Sequence, residues 1–162
     1  MNKKGYVQDF LVYGIMLFLI AVGSIVGTVI VTEFNTKFQG MDDMSTATKE
    51  ISSSNADRFS KVFDWAFIMV VFGFAIAIIA SLYVLNTHPA LFFPVVIVFG
   101  IILIAIGIIG NVFDKFSNAS SISSTVAEFT MMGWIMDHYV LVVLVFGFAG
   151  IIALFAKLDV GP

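Results

Sequence analysis

The chain has no cysteine and is poor in charge and proline. Of its 162 residues three are Pro and 12% are charged, against about 25% charged in ordinary soluble domains. Without Cys, disulfides, thiolate metal sites, Cys-ligated iron–sulfur clusters and palmitoylation are excluded. The low charge and the mean hydropathy of +1.05 exclude an ordinary soluble fold. The eight basic residues are scattered, so no polybasic segment suits nucleic acid or anionic lipid.

Long apolar runs are abundant instead. A helix needs roughly 20 residues to cross a hydrocarbon core of about 30 Å. Four runs reach that length, at 10–31, 62–85, 90–112 and 135–156. None contains Lys, Arg, Glu or an internal His, and only Asp64 and Asp137 lie near the start of a run. We therefore expect an all-α, four-span integral membrane protein forming one domain over 1–162, with the first run an uncleaved span rather than a signal peptide.

Two polar connections, 32–61 and 113–134, must lie on the same face of a four-span protein. The second and third spans are joined by the short turn 86–89, so the chain is predicted to form two helical hairpins. Residues 52–64 contain no Gly or Pro and space their apolar residues at helical intervals, which predicts a helix extending beyond the bilayer. Gly40 predicts a break after an extension of the first span. Five basic residues in the connections against three elsewhere slightly favour connections on the cytoplasmic side.

The two halves of the sequence share short matches in the same order. The segment Val71–Ala75 recurs as Val145–Ala149, and Lys37-Phe38 recurs as Lys115-Phe116. These matches favour an internal duplication. Two repeats of two spans each would be related by an axis along the membrane normal.

Small and interfacial residues are the candidate structural sites. Glycines let membrane helices approach closely, and the predicted packing glycines are Gly23, Gly27, Gly73, Gly107, Gly147 and Gly150. Gly23 and Gly27 form a GxxxG pattern, for which packing within the chain is favoured over contact with another subunit. Trp65, Trp134, Asp64 and Asp137 are predicted interface anchors. The two acids are interpreted as charges at helix N-termini, with a paired proton or cation site as the alternative.

The sequence offers no constellation for catalysis, cofactor binding or metal binding. His88 and His138 are the only histidines, and the topology puts them on opposite faces. No phosphate loop, nucleophile elbow or Ser–His–Asp set is present. A channel would need a polar stripe, and only Ser24, Thr28 and Ser81 are available within the spans, where they can bond to their own helix backbones.

Four short segments of the sequence occur in this order: Phe10–Gly14, Val62–Asp64, Asn86–Pro89 and Met136–His138. Together they give the chain a resemblance to small four-span membrane proteins of tailless icosahedral viruses. These are bacterial or archaeal viruses that enclose an internal membrane. The resemblance covers nearly the whole chain through weakly specific motifs. It implies a structural virion component that lines the vesicle beneath a capsid. It implies no catalytic residue.

The expected function is therefore a non-enzymatic structural membrane protein that anchors a bilayer to a larger protein assembly. Its expected partners are the lipid bilayer and other membrane or capsid proteins, reached through the polar connections, and not nucleic acid. The chain itself is expected to be an oligomer or part of a larger assembly. Three alternatives remain: an accessory anchor subunit of a membrane enzyme complex, a small channel, transporter or holin-like protein, and a membrane-embedded enzyme, which would need clustered catalytic groups near one interface.

Overall fold

The computed structural model describes residues 6–84 and 89–155, and this part of the chain consists of helices joined by short turns, without strands. A single 3-10 turn, Pro89–Leu91, precedes the third helix. The helices in chain order are α1 (Tyr6–Gln39), α2 (Thr46–Val84), α3 (Phe92–Ser117), α4 (Ser123–Val126), α5 (Thr130–Asp137) and α6 (Tyr139–Phe155). Most of the turn predicted at 86–89, including His88, lies outside the described residues.

Helices α1, α2 and α3 are each long and apolar enough to cross a membrane, and the bent pair α5 and α6 makes a fourth candidate if it is one span. At about 1.5 Å per residue, the 34 residues of α1 and the 39 of α2 extend for about 51 and 58 Å. Both lengths exceed a hydrocarbon core of about 30 Å. The all-α architecture is thus as expected, and it is compatible with an integral membrane protein.

Helices α1 and α2 form an antiparallel hairpin with a short connection. Helix α1 ends at Gln39, directly before the predicted break at Gly40, and α2 already begins at Thr46, so it contains the helical segment predicted over 52–64. Ser45 precedes α2 and its hydroxyl accepts a hydrogen bond from the backbone N–H of Thr48 at 3.3 Å. This is the geometry of an N-cap, which satisfies a donor that the first helical turn leaves free.

The four long helices are arranged in a ring. Helix α1 packs against α2 and α3, and α6 packs against the same two helices, so that α1 and α6 are diagonal. Pairs of contacts give the directions. Phe72 meets Phe146 and Leu82 meets Gly150, so α2 and α6 are parallel neighbours. Phe92 meets Phe155 and Phe99 meets Gly147, so α3 and α6 are antiparallel neighbours.

This ring does not have the twofold arrangement expected from a duplication. Rotation about the membrane normal would exchange α1 with α3 and α2 with α6, which requires each exchanged pair to be diagonal. In the structure both pairs are adjacent. Helices α1 and α3 are also parallel, since Phe10 meets Phe99 and Gly14 meets Ile106. Each helix of the first hairpin instead packs against the helix with which the rotation would exchange it. Helix α1 packs on α3, and α2 packs on α6.

The fourth apolar run is not the straight span 135–156 expected from the sequence. It contains a bend of 75° between α5 and α6. His138 lies at the bend with φ −106° and ψ 25°, outside helical geometry. Hydrogen bonding continues across it, since the His138 N–H donates to Trp134 O and the Val142 N–H donates to His138 O. The 17 residues of α6 cover about 26 Å. The chain bends at the start of α6, so α5 is not collinear with it.

The core lies where α1, α2, α3, α5 and α6 meet. Its largest fully buried side chains are apolar or aromatic: Tyr139, Phe67, Phe113, Phe129, Ile25, Ile106, Met132 and Met136. Large apolar side chains are also exposed along every long helix. Only 33%, 22% and 17% of the apolar stretches of α1, α2 and α3 are buried inside the protein, which is compatible with helices surrounded by lipid.

Candidate functional site

Asp64 holds the start of a helix that lies far away in sequence. Its carboxylate accepts hydrogen bonds from the backbone N–H groups of Met131 at 3.1 Å and Met132 at 2.7 Å. These are the second and third residues of α5, whose own preceding residue, Phe129, provides no side-chain cap. A carboxylate at this position satisfies two free donors and interacts favourably with the positive end of the helix dipole. Asp64 is therefore an N-cap supplied by α2 to α5.

The two acids predicted as equivalent anchors have different environments. Asp64 is 8% exposed and lies in the interior of α2, far from that helix's own N-terminus. The expected stabilisation by a helix dipole thus comes from α5 and not from α2. Asp137 is exposed at the end of α5, and in the described part of the chain its carboxylate has no hydrogen-bond or ion-pair partner. The structure does not bring the two carboxylates into one site.

The two tryptophans mark one level of the protein. Trp65 follows Asp64 in α2, and Trp134 lies in α5, which Asp64 holds; both indoles are largely exposed, at 61% and 55%. Trp134 stacks on the ring of His138 with centroids 4.8 Å apart. Amphipathic indoles at one height are typical of a lipid–water boundary. At this height the chain bends by 75°, so the axis of α5 is steeply inclined to the axis of α6.

The six predicted packing glycines fall into three groups. A Cβ added at Gly147 would overlap the ring of Phe99, and one at Gly150 would lie 2.6 Å from Leu82 Cδ1. At Gly27 and Gly107 an added Cβ would make ordinary contacts of 3.7 Å with Phe59 and 3.6 Å with Val140. At Gly23 and Gly73 it would meet nothing within 4 Å. The close approaches therefore join α6 to α3 and α2.

Gly14 is a further packing glycine that the sequence did not single out. A Cβ there would overlap Ile106 of α3, and the buried Tyr139 hydroxyl donates a hydrogen bond to the Gly14 carbonyl. This bond links α6 to α1 across the diagonal of the ring. Nothing in the sequence spacing connects these residues, because Tyr139 follows Gly14 by 125 positions.

The end of the α1–α2 hairpin is fastened by polar side chains. Lys49 Nζ donates to the Gln39 carbonyl at 2.8 Å, and Gln39 Nε2 donates to the Lys49 carbonyl at 2.7 Å. One turn closer to the bundle, Ser52 Oγ donates to Asn35 Oδ1 at 2.8 Å. The first polar connection is therefore an ordered helical projection, which we call the hairpin tip (35–52).

The second polar connection does not project in the same way. Its short helix α4 packs against α1, and α5 packs against α2 and α3. Phe129 is almost completely buried, and Thr125 is buried as well. Residues 113–134 thus fold back onto the bundle, and one of the two predicted polar projections remains.

The hydroxyls within the apolar stretches bond to their own helices. Ser24 donates to Ile20 O at 2.8 Å, Thr28 to Ser24 O at 2.9 Å and Ser81 to Ala77 O at 2.7 Å. A small cavity of about 40 Å³ lies between α1, α2 and α6, lined mainly by apolar side chains: Phe10, Tyr13, Gly14, Val71, Ala75, Ile78, Val143 and Phe146. Among the described residues no three His, Asp or Glu side chains are grouped as a metal site would require.

Comparison with known proteins gives no relative: no family model, curated protein or solved structure matches the chain.

Proposed function

We propose that this chain is an integral membrane protein whose hairpin tip docks onto a larger protein assembly and so anchors that assembly to the bilayer. The observation that carries the proposal is the height of the projection. In helix α2, Asp64 lies 18 positions after Thr46, which is about 27 Å at 1.5 Å per residue. The tryptophans, the bend and α5 all lie at the Asp64 end of this distance. The hairpin therefore stands well above the proposed membrane surface.

Surface chemistry changes along the hairpin in the way this function requires. Below Asp64, α2 exposes large apolar residues such as Met69 and Ile76. Above it, the same helix exposes Lys61, Arg58 and Asp57 to solvent. A helix such as α2, which exposes apolar residues below this level and charged residues above it, is stable when its lower part is in lipid and its upper part is in water.

Rigidity of the tip also supports docking. An ordered surface loses little conformational entropy when a partner binds it. The reciprocal bonds between Gln39 and Lys49 hold the two helices together at the end farthest from the bundle. The resemblance to virus membrane proteins makes a capsid the proposed assembly and the virion's internal membrane the proposed location.

The membrane setting can be tested with single cysteines, because the native chain has none. Ile51 of the hairpin tip and Ile104 of α3 are similarly exposed, at 63% and 69%. The assay uses membrane vesicles in which the reagent reaches both faces of the bilayer. A membrane-impermeant maleimide should then label the Ile51→Cys variant fully. It should label the Ile104→Cys variant only after detergent is added. Equal labelling of the two variants before detergent would contradict the membrane setting.

Docking is tested by a photo-crosslinking amino acid at the same two positions in native membranes. Crosslinking at 51 should give one discrete protein adduct of an assembly component, whereas crosslinking at 104 should give lipid adducts. A cofactor-bearing enzyme as the adduct would favour the anchor-subunit alternative. Selective, saturable solute flux through liposomes containing the purified protein would overturn the proposal in favour of a channel or transporter.

A further inference from the structure

The α1–α2 hairpin has a neck between the level of Asp64 and the hairpin tip. The neck consists of residues 23–34 of α1 and 55–62 of α2. A Cβ added at Gly27 of α1 would lie 3.7 Å from the Phe59 ring of α2, so the two stretches are at the same height. In the proposed membrane setting the neck therefore stands above the lipid, in contact with water.

One face of the neck is apolar on both helices. On α1, Ile30 and Phe34 follow Gly27 at intervals of three and four positions, and they are 61% and 63% exposed. On α2, Val62 follows Phe59 by three positions and is 62% exposed. Residues at these intervals share one side of a helix. Because Gly27 and Phe59 meet, both sets lie on the same face of the hairpin, which we call the neck face. Apolar surface of this size in water is typical of a contact with another protein.

The bilayer limits how a second copy can meet the neck face. Two copies inserted in the same direction form an isologous pair only about a twofold axis along the membrane normal. When their neck faces meet across this axis, α1 of each copy packs against α2 of the other copy and runs antiparallel to it. Different residues then face each other across the seam, so opposite charges on the two helices can pair.

Glu33 and Arg58 carry opposite charges at the two edges of the neck face. Asn35 faces α2, because its side chain accepts a hydrogen bond from Ser52 at 2.8 Å. Glu33 precedes Asn35 by two positions, about 200° around the helix, so it lies on the edge of α1 away from α2. Arg58 precedes Phe59 by one position, about 100° around the helix, and lies on the edge of α2 away from α1. Both charged residues are exposed, and neither has an ion-pair partner in the described part of the chain.

The heights of these two charges match in such a pair of hairpins, where the outer edge of α1 adjoins the outer edge of the second copy's α2. Counted from the bond between Asn35 and Ser52, Glu33 is two positions lower and Arg58 is six positions lower, a difference of about 6 Å. Side chains lean toward the N-terminus of their own helix, so Glu33 leans down and Arg58 leans up, toward each other. Lys37 lies about 12 Å above the level of Arg58 and does not oppose the pair. Twofold symmetry gives two such ion pairs in the dimer.

We infer that the neck face is the interface of a homodimer in which α1 of each copy packs against α2 of the other. The inference rests on the proposed membrane setting, which brings the second copy to the same height. Charge complementarity favours a second copy in this arrangement, whereas packing of α1 on α1 would set Glu33 and Lys37 opposite their own counterparts. The hairpin tip lies outside the interface and stays free to dock.

Mixed cysteine variants test which helices meet, because the native chain has no cysteine. Phe34→Cys and Asn55→Cys lie at nearly the same height on the two sides of the inferred seam. The two variants, carrying tags of different size, are reconstituted together and oxidised. The disulfide should join one chain of each kind, and neither variant alone should form a covalent dimer. A mixture of Met69→Cys and Ile104→Cys, two exposed positions at lipid level, is the control and should stay monomeric.

Three results of this experiment would overturn the inference. Covalent dimers of Phe34→Cys alone would show that α1 meets α1. Monomers in every mixture would show that the neck faces do not meet, and equal dimer in the control mixture would show that the crosslinks are unspecific. In each case the maleimide result for Ile51 and Ile104 still decides the membrane setting separately.

Charge reversal tests the ion pairs in the same vesicles, with dimerisation followed by fluorescence energy transfer between labelled chains. Glu33→Lys or Arg58→Glu alone should raise the dimer dissociation constant by about tenfold, because each replaces two attractive pairs by two repulsive ones. A mixture of these two variants restores opposite charges at both contacts and should dimerise like the native chain. Lys61→Glu is the matched control, since Lys61 is exposed on the side of α2 opposite Phe59, and it should leave the dissociation constant unchanged.

The mixture is the decisive measurement for the seam. A mixture that dimerises as weakly as either variant alone would refute the pairing of Glu33 with Arg58. Crosslinks from position 34 to a different protein in native membranes would assign the neck face to that partner instead.

Discussion

Replacing Asp64 tests the link between α2 and α5 most directly. In Asp64→Ala, the N–H groups of Met131 and Met132 lose their acceptor, and the Met132 side chain is completely buried, so water has poor access to this helix end. Loss of an N-cap costs about 0.5–2 kcal/mol, and hydrogen bonds to a charged group contribute about 1.5–3 kcal/mol each. We expect Asp64→Ala to lower the free energy of unfolding by about 2–4 kcal/mol.

Asp64→Asn separates the hydrogen bonds from the charge. The amide keeps one acceptor oxygen, which can receive the buried Met132 N–H, and Asn caps helices about as well as Asp. We therefore expect a loss of about 1 kcal/mol for this variant. Asp137→Ala is the matched control, because Asp137 is exposed and has no partner in the described residues. A change at such a surface position stays within about 0.5 kcal/mol.

Two measurements follow these changes. Reversible unfolding in mixed micelles gives the free energy of unfolding, and hydrogen exchange gives the local stability of α5. A loss of 2 kcal/mol in α5 should speed exchange of its amides by about 30-fold, while amides in the middle of α3 change less. If Asp64→Ala is as stable as Asp137→Ala and α5 exchanges at its native rate, then Asp64 is only a solvated charge and does not cap α5.

Other contacts predict effects of defined sign. Gly147→Ala should destabilise the protein by about 1–3 kcal/mol, because its Cβ would overlap the Phe99 ring. Gly73→Ala should stabilise α2 by about 0.5–1 kcal/mol, because its Cβ meets nothing within 4 Å. If the two changes in unfolding free energy, measured in mixed micelles, have the same sign, the packing of Gly147 is refuted. Tyr139→Phe removes the hydroxyl bonded to the Gly14 carbonyl, and it should cost about 1 kcal/mol in the same assay, with no change contradicting a bond across the ring.

Local properties of the chain were predictable because they depend on neighbouring residues. A helix satisfies its backbone hydrogen bonds within itself, so the length and polarity of each segment predicted where α1, α2 and α3 lie. The break after α1 was predictable from Gly40, which follows the last helical residue. The bonds of Ser24, Thr28 and Ser81 to their own helices were predicted for the same reason, since each partner lies four residues away.

The candidate sites were predictable only in part. Gly147 and Gly150 lie at close helix contacts, but Gly23 and Gly73 face outward and Gly14 was not singled out. A helix in lipid is apolar on both its inner and outer sides, so the hydrophobic pattern does not show which glycine faces a neighbour.

By itself, then, the sequence determined that the chain forms long apolar helices and which segments are polar. Only the tertiary structure decided that α1 is adjacent to α3, that the second connection folds back, and that the fourth run bends at His138. The physical reason is the range of the interactions involved. Asp64 and the α5 amides it binds are 67 and 68 residues apart, and they meet only because packing brings α2 and α5 together.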